Sequence, residues 1–348
     1  MKNKILTALA LVPLLLFVAS GLIRNIESPP LTATYSPIQA LINSANEGDT
    51  IRIPEGVYYG LVVVNKSLTL IGQRNVVIDS NMSGEQIGIV VRASNVTLEN
   101  LVIQNVTKQL VITCMNGVCD DAFPQDLDGL RDGCGAGIYA YGVANGVEHA
   151  RGSLTLTNLT ITGCFVGIQL YSFESAQIVN VVSKKNLFGI ITERTSSLNL
   201  LGCTIADGII GYSSPLCRET SSGGGSGIWV GRRSHVVMRN CTIENYSFGL
   251  SFLPETTYNK VQYNNFLNNT HNTDVNLEAL WVGEFLNNYW SDYHGVDANA
   301  DGLGDTAYII NQYNADPHPM MADPPYTPPP KYEYQAGGGC PGKVPNPK

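Results

Sequence analysis

Short apolar and polar bursts alternate through the middle of the chain, and the bursts recur. Six segments begin with glycine and an aliphatic residue: "GIVV" at 88, "GIYA" at 137, "GIQL" at 167, "GIIT" at 189, "GIWV" at 227 and "GLSF" at 249. Each leads to a second stretch: "VTLENLVI" at 96, "LTLTNLTI" at 154, "AQIVNVVS" at 176, "LNLLGCTI" at 198, "VVMRNCTI" at 236 and "KVQYNNFL" at 260. The step is 22 residues from 167 to 189 and again from 227 to 249, while the steps of 30 and 38 carry insertions. The period is two and no helical period of 3.6 survives, so the bursts read as short strands separated by Asn, Gly or Ser. One such coil cannot bury its own apolar face, but stacked coils share a continuous core. Strands that repeat in the same order and direction pair in parallel, rung over rung, ~4.8 Å apart. The pattern predicts an all-β chain wound as a parallel β-helix over residues 30–286, with insertions at 107–136 and 207–226. A sandwich would need tight hairpin turns, and clear ones are missing.

Parity then separates inside from outside. One residue after each glycine stand Ile89, Ile138, Ile168, Ile190, Ile228 and Leu250, and three after it Val91, Ala140, Leu170, Thr192, Val230 and Phe252. Both columns are nearly all apolar and are expected to point inward. The alternate columns face out and hold Tyr139, Gln169 and Trp229, then Tyr141, Tyr171 and Glu193, with Arg194 and Arg232 at the adjoining turn. Asn100, Asn158, Asn180, Asn240 and Asn264 fall at one equivalent corner, with Gly202 as the sixth member. Asn and Gly tolerate the left-handed conformation of a tight corner, and stacked amides can bond along the column. Ahead of the repeat, an amphipathic segment from Ile38 to Ala45 is placed to close the open end of the coil as a short capping helix.

The run "IQALINSANEGDTIRIPEGVYYGLVVVNKSLTLIG" and the ordered repeats resemble the NosD-like parallel β-helix family, also described as carbohydrate-binding and sugar-hydrolysis domains. Pectin lyases share that fold. The likeness spans roughly residues 35 to 322. It implies a right-handed parallel β-helix with a short N-terminal capping helix and a C-terminal cap, here residues 287–325. It also raises a tie to the maturation of a copper enzyme.

The chain of 348 residues carries a net charge of −8, which argues against a duplex nucleic-acid partner. "MKNKILTALALVPLLLFVASGLI" sets Lys2 and Lys4 before an apolar run, so residues 1–24 read as a signal peptide or, alternatively, an N-terminal anchor. Either places the bulk of the protein outside the cytoplasm, secreted, periplasmic or at the cell surface, with membrane contact only through that N-terminus. Of eight cysteines, Cys164, Cys203 and Cys241 sit in strand-like segments as small buried residues. Cys114, Cys119, Cys134 and Cys217 form the candidate disulfide set, with pairing open. Residues 326–348 are too rich in Pro and Gly to build a core and read as a disordered tail.

Three kinds of chemistry compete for this coil. An outward column with Tyr139, Tyr141, Gln169, Tyr171, Glu193, Trp229 and Arg232 suits a polysaccharide or glycan, or an extracytoplasmic protein. The alternative is that the insertions simply cover these aromatics as a satellite core. Hydrolysis needs two carboxylates across the scissile bond, and Glu174 with Glu193 is the nearest pair. A lyase needs a base, for which the related β-helix enzymes point to arginine, here Arg194 or Arg232. Copper, which the resemblance implies, needs soft donors, offered by His318, Met320 and Met321 in "DPHPMM". Met320 and Met321 could equally plug the end of the coil.

The segment "NNYWSDYHGVDANADGLGDTAYIINQYNADPHPM" resembles the ending of NosD-like chains. Tyr289, Trp290 and Tyr293 are spaced to seal the last rung. Asp297, Asn299, Asp301, the Leu303 carbonyl and Asp305 follow with Gly302 at the bend, the spacing of a calcium loop, although Tyr308 stands where an EF-hand has its bidentate Glu. A plain polar turn is the alternative. The expectation is an exported, non-catalytic β-helix stapled by structural calcium, with a polysaccharide lyase or hydrolase and a copper-assembly accessory factor as the other readings.

Overall fold

The computed structural model describes residues 36–80, 87–106, 114–115, 118–119, 135–142, 152–208, 225–275 and 281–322. The leader at 1–24, most of the two insertions, the tail at 326–348, Cys134 and Cys217 lie outside the described residues. Within the first insertion, Cys114–Met115 pairs antiparallel with Val118–Cys119. Among the described residues no helix is long and apolar enough to cross a membrane.

The chain winds as the expected right-handed parallel β-helix. One side is an eight-stranded sheet of Val62–Val64, Ile87–Val91, Ala136–Tyr141, Val166–Tyr171, Phe188–Glu193, Ser226–Val230, Phe248–Phe252 and His271–Val275. These are the glycine-led segments. The other strands form a sixteen-stranded set that bends around a corner. Val96–Gln104 shows how: it pairs with Ser153–Thr157 before Asn100 and with Thr160–Thr162 after it. The two halves give the second and third sides of the coil.

Both inward columns are as the parity predicts. Ile138, Ile168, Ile190, Ile228 and Leu250 stand directly over one another and are fully buried. Burying each such side chain contributes roughly 1.5–3 kcal/mol. The repeating glycine has a separate cause, namely how closely the rungs approach. A Cβ on Gly88, Gly137 or Gly227 would lie 2.7, 2.8 or 2.7 Å from the carbonyl oxygen of the residue stacked on the next rung. No larger side chain fits without moving backbone.

The corner file is left-handed at Asn100, Asn158, Asn180, Gly202 and Asn240, with φ between 51° and 62°. Asn158 Nδ2 donates to Asn100 Oδ1 at 3.2 Å, and Asn180 Nδ2 to Asn158 Oδ1 at 3.5 Å. The next member is not Asn264, as expected, but Tyr263 (φ 57°), followed by Asn287 (φ 53°). The strand register decides this, because Arg239 pairs with Gln262 and Gln262 with Leu286. Asn264 instead points into the core.

That inward position is where the coil changes character. Along one file run Leu159, Val181, Cys203, Cys241, Asn264 and Asn288. Asn264 Nδ2 donates to Met238 O and to Asn288 Oδ1, and Asn288 Nδ2 to Val261 O and Asp316 Oδ2. The file ends on Asp316, whose carboxylate is 0% exposed. It accepts from Asn287 N, Asn288 N, Asn288 Nδ2, Trp290 Nε1 and His318 N at 2.8–3.2 Å. A buried carboxyl is tolerable there because these five donors are aimed at it.

Both ends of the coil are closed. Helix α1 (Ile38–Ser44) covers the first rung with Ile38 and Ile42 buried. The Lys66 ammonium donates to the Ile42, Asn43 and Ala45 carbonyls at 3.1, 2.9 and 2.7 Å, satisfying acceptors at the helix C-terminus. At the far end, Phe266, Trp290 and Tyr308 stack at 4.4 Å between successive ring centres. Tyr308–Asn311 and Asn314–Asp316 form the antiparallel hairpin of the cap. Tyr289 lies in an isolated bridge with Met320, and Tyr293 packs on the core margin with its hydroxyl on Thr306. Covering the last rung removes an open sheet edge.

Candidate functional site

The outward columns of the glycine-led sheet face away from the coil axis as expected, but their exposure differs from the expectation at Tyr139. That ring is 1% exposed and belongs to a second apolar cluster with Ile87, Val90, Ala136, Val166, Leu187 and Phe188. Trp229 is half-buried against the same cluster, with its ring stacked on Phe188 at 5.7 Å. Burial, with the neighbouring Tyr141 and Tyr171 adding to it and Arg92 opposing, pushes the Tyr139 phenol well above its ordinary range. Tyr139 is therefore a core residue of the outer layer. The physical reason is the apolar content of the first outward rungs, Val63 and Val90, which seeds a second core on that side.

The column closer to the corner is different. Arg92, Tyr141, Tyr171 and Glu193 occupy equivalent positions on four successive rungs. All four are half-buried. Tyr141 and Tyr171 stack at 5.2 Å with an interplanar angle of 15°. The Arg194 guanidinium lies 5.4 Å from the centre of the Tyr171 ring, within cation–π reach. Arg194 itself sits in the left-handed region (φ 52°), so the corner turns its side chain back over the sheet. Gln169 is half-buried between Tyr139 and Ile191 in the neighbouring column.

The candidate catalytic groups stand in different files of the coil. Glu193 ends a strand of the glycine-led sheet, whereas Glu174 is exposed and precedes Ser175–Val179 on the next side of the coil. The left-handed corner of Ser172 and Arg194 separates their files. Arg232 is exposed and its carbonyl accepts from Arg194 N at 2.9 Å. Arg233 pairs with Glu255 at 3.2 Å, both well exposed, a contact worth little in water.

The acidic loop of the cap folds as a set of side-chain-to-backbone turns. Asp297 accepts from Asp301 N and Gly302 N, Asn299 Oδ1 from Asp301 N, Asp301 Oδ1 from Leu303 N, and Asp305 Oδ2 from Ala298 N. Gly302 takes φ 88° at the bend, as its position in the spacing requires. Leu303 bridges to Met320, which ties the loop to the cap.

Copper asks for soft donors held together. His318 and Met321 are exposed, while Met320 is half-buried in the seam, its amide bonded to Asn288 O. Cys164, Cys203 and Cys241 are sealed in the core as expected, with thiols bonded to backbone carbonyls such as Thr162 O and Arg239 O. Among the described residues no three His, Cys, Asp or Glu side chains come together to hold a metal ion.

What sequence reasoning missed is the inward amide system, in particular Asn259, Asn264, Asn288 and Asp316. Its signal was present in the doublets at 268–269 and 287–288: the first Asn turns the corner and the second points inside.

A closed, three-sided coil with one patterned outer side defines a β-helix scaffold protein. The family model described as periplasmic copper-binding protein (NosD) matches residues 42–295, and the chain belongs to that family. Its place of work is thus outside the cytoplasm. Over 93 residues it is 31% identical to the "Probable ABC transporter binding protein NosD" of Stutzerimonas stutzeri. That match takes in 26% of this chain and 21% of the relative, so it spans about a fifth of the relative's length.

Proposed function

We propose that this protein is a non-catalytic accessory scaffold of the periplasm that recognises a partner protein through the outer side of its glycine-led sheet. The observation that carries the reading is the Arg92–Tyr141–Tyr171–Glu193 file, with its stacked tyrosines and the Arg194 guanidinium over one of them. Rigid aromatic rings beside arginine are the usual anchors of protein interfaces. The name of a relative, "Probable ABC transporter binding protein NosD", links it to a transport system, in which a protein partner has a place. A photo-crosslinking residue at position 171 tests this in the periplasm. One discrete adduct is expected, lost on Arg194→Glu and absent when the probe sits at exposed Gln177. Adducts of equal yield at both positions would sink it.

A glycan on the same file is the second reading, favoured by the stacked rings. Saccharide-array binding that disappears in Tyr171→Ala would replace the first reading with it. The acidic loop enters the proposal as a structural calcium site of Asp297, Asn299, Asp301, the Leu303 carbonyl and Asp305, whose spacing and turn geometry support it. Calcium should then raise the melting temperature of the cap, and Asp301→Ala should remove that rise. For copper, titration sensitive to His318 and Met320 would indicate an open surface site on the cap.

A further inference from the structure

One corner of the coil carries an exposed aromatic file near the closed far end. His235, Tyr258 and Trp281 lie just ahead of Val236–Arg239, Asn259–Gln262 and Gly283–Leu286, three strands stacked on successive rungs. The Tyr258 ring lies 6.3 Å from His235 and meets Trp281 edge-on at 5.6 Å. One layer on, Tyr313 precedes Asn314, whose Oδ1 accepts from Val282 N at 3.0 Å. Tyr258 is 72% exposed, Trp281 45% and Tyr313 48%. Tyr258 is also held in the left-handed region (φ 62°), which costs a bulky residue roughly 1–2 kcal/mol. A conformation held at that cost, with its ring in water, is a mark of function.

The chemistry of the file selects its occupant. Rings set edge to face leave ridges and clefts, and the indole N–H and phenol O–H can donate along them. A polyproline II segment fits such a surface, because its rings pack between aromatics and its carbonyls have no internal donors. The chain itself supplies such a sequence. Beyond Ala322 it continues "DPPYTPPPKYEY", with prolines at 324, 325, 328, 329 and 330. The place where the described cap ends allows the reach. Met320 N bonds Asn288 O, and Trp281 stands seven residues before Asn288, hence at most ~25 Å away. Eight polyproline steps of ~3.1 Å lead from Met320 to Pro328, again ~25 Å. A short tether gives an effective concentration of ~1 mM, which holds a segment of ~0.1 mM affinity in place about 90% of the time.

We infer that the proline-rich stretch 324–334 of this same chain docks on the Tyr258–Trp281–Tyr313 file, which is separate from the Tyr141–Tyr171 file. The test places a benzoylphenylalanine photo-probe at position 313 of the full chain, leaving Tyr258 and Trp281 intact. Irradiation should join the probe to a peptide within 323–334 of the same molecule, and the product should run as a monomer. Pro328→Ser, Pro329→Ser and Pro330→Ser together should remove that adduct, and so should Tyr258→Asn. The Asn variant should melt no lower than the parent, because Asn suits the left-handed backbone better, so its loss of adduct is not unfolding. An adduct to another protein, or to a second copy as a dimer, would overturn the inference. So would the lack of any adduct within 323–334, or one that survives both sets of substitutions.

Discussion

Asp316→Asn tests the buried end of the coil most sharply, because it changes a single atom type without changing volume. The native carboxylate accepts two donors on Oδ1, Asn287 N and His318 N, and three on Oδ2, Asn288 N, Asn288 Nδ2 and Trp290 Nε1. An asparagine amide points its NH2 at one of those groups whichever way it flips. At least two buried donors then lose their acceptor, at about 1–3 kcal/mol each. Partial relaxation leaves a net loss of about 3 kcal/mol, a large share of the 5–15 kcal/mol typical of folded domains. Each rung contacts chiefly its neighbours, so the loss is local to the cap. Hydrogen exchange read by mass spectrometry should show residues 283–290 and 308–320 opening about a hundredfold more readily, with residues 153–206 unchanged. Exchange in the cap within twofold of the parent would refute the claim that Asp316 organises it.

Other perturbations follow from the same coil. Ile190→Ala, in the middle of the stacked isoleucine file, should cost about 2–5 kcal/mol in urea denaturation through the cavity it leaves. Lys66→Met removes the ammonium from three carbonyls of the capping helix and should lower stability by about 1–2 kcal/mol, again by urea titration. Burial pushes the Cys164 thiol up to about 12 and the Tyr308 phenol likewise to about 12. Both groups hold their protons to higher pH in the fold than in the unfolded chain, so their contribution is complete below their ordinary pKa values, near 9 and 10. It is lost as pH rises towards 12, and a circular-dichroism titration should show stability falling across that window. A thiol reagent at neutral pH should leave Cys164 unlabelled until the protein is denatured.

The coil was legible in the sequence because a period-two pattern repeated at 22 residues admits few other foldings. The parity of Ile168, Ile190 and Ile228 settled the inside, and close approach between rungs explains why glycine led each strand. Legibility stopped where one sequence feature serves two roles. Asparagine marks both the left-handed corner and the inward amide position, so Asn264 was assigned to the corner that Tyr263 occupies. A pattern that fixes direction also says nothing about cover. Tyr139 points away from the axis as expected, yet lies buried, because exposure depends on what packs over the sheet. Asp316 gave no signal of its own, since a buried carboxylate is identified by the donors converging on it, and those come from residues 26 to 29 positions away as well as from His318.

Cysteine pairs on the exposed surface read the vertical alignment most directly. Gln177 and Asn199 are direct neighbours on successive rungs and share the outward parity. A Gln177→Cys/Asn199→Cys protein, oxidised and digested, should yield one linked peptide pair in high yield. Gln177→Cys with Asn180→Cys, on the same rung, should yield none. Failure of the first pair to link, or linkage of the second instead, would mean that residues 22 apart are not stacked, and every site assigned by file would fall with it.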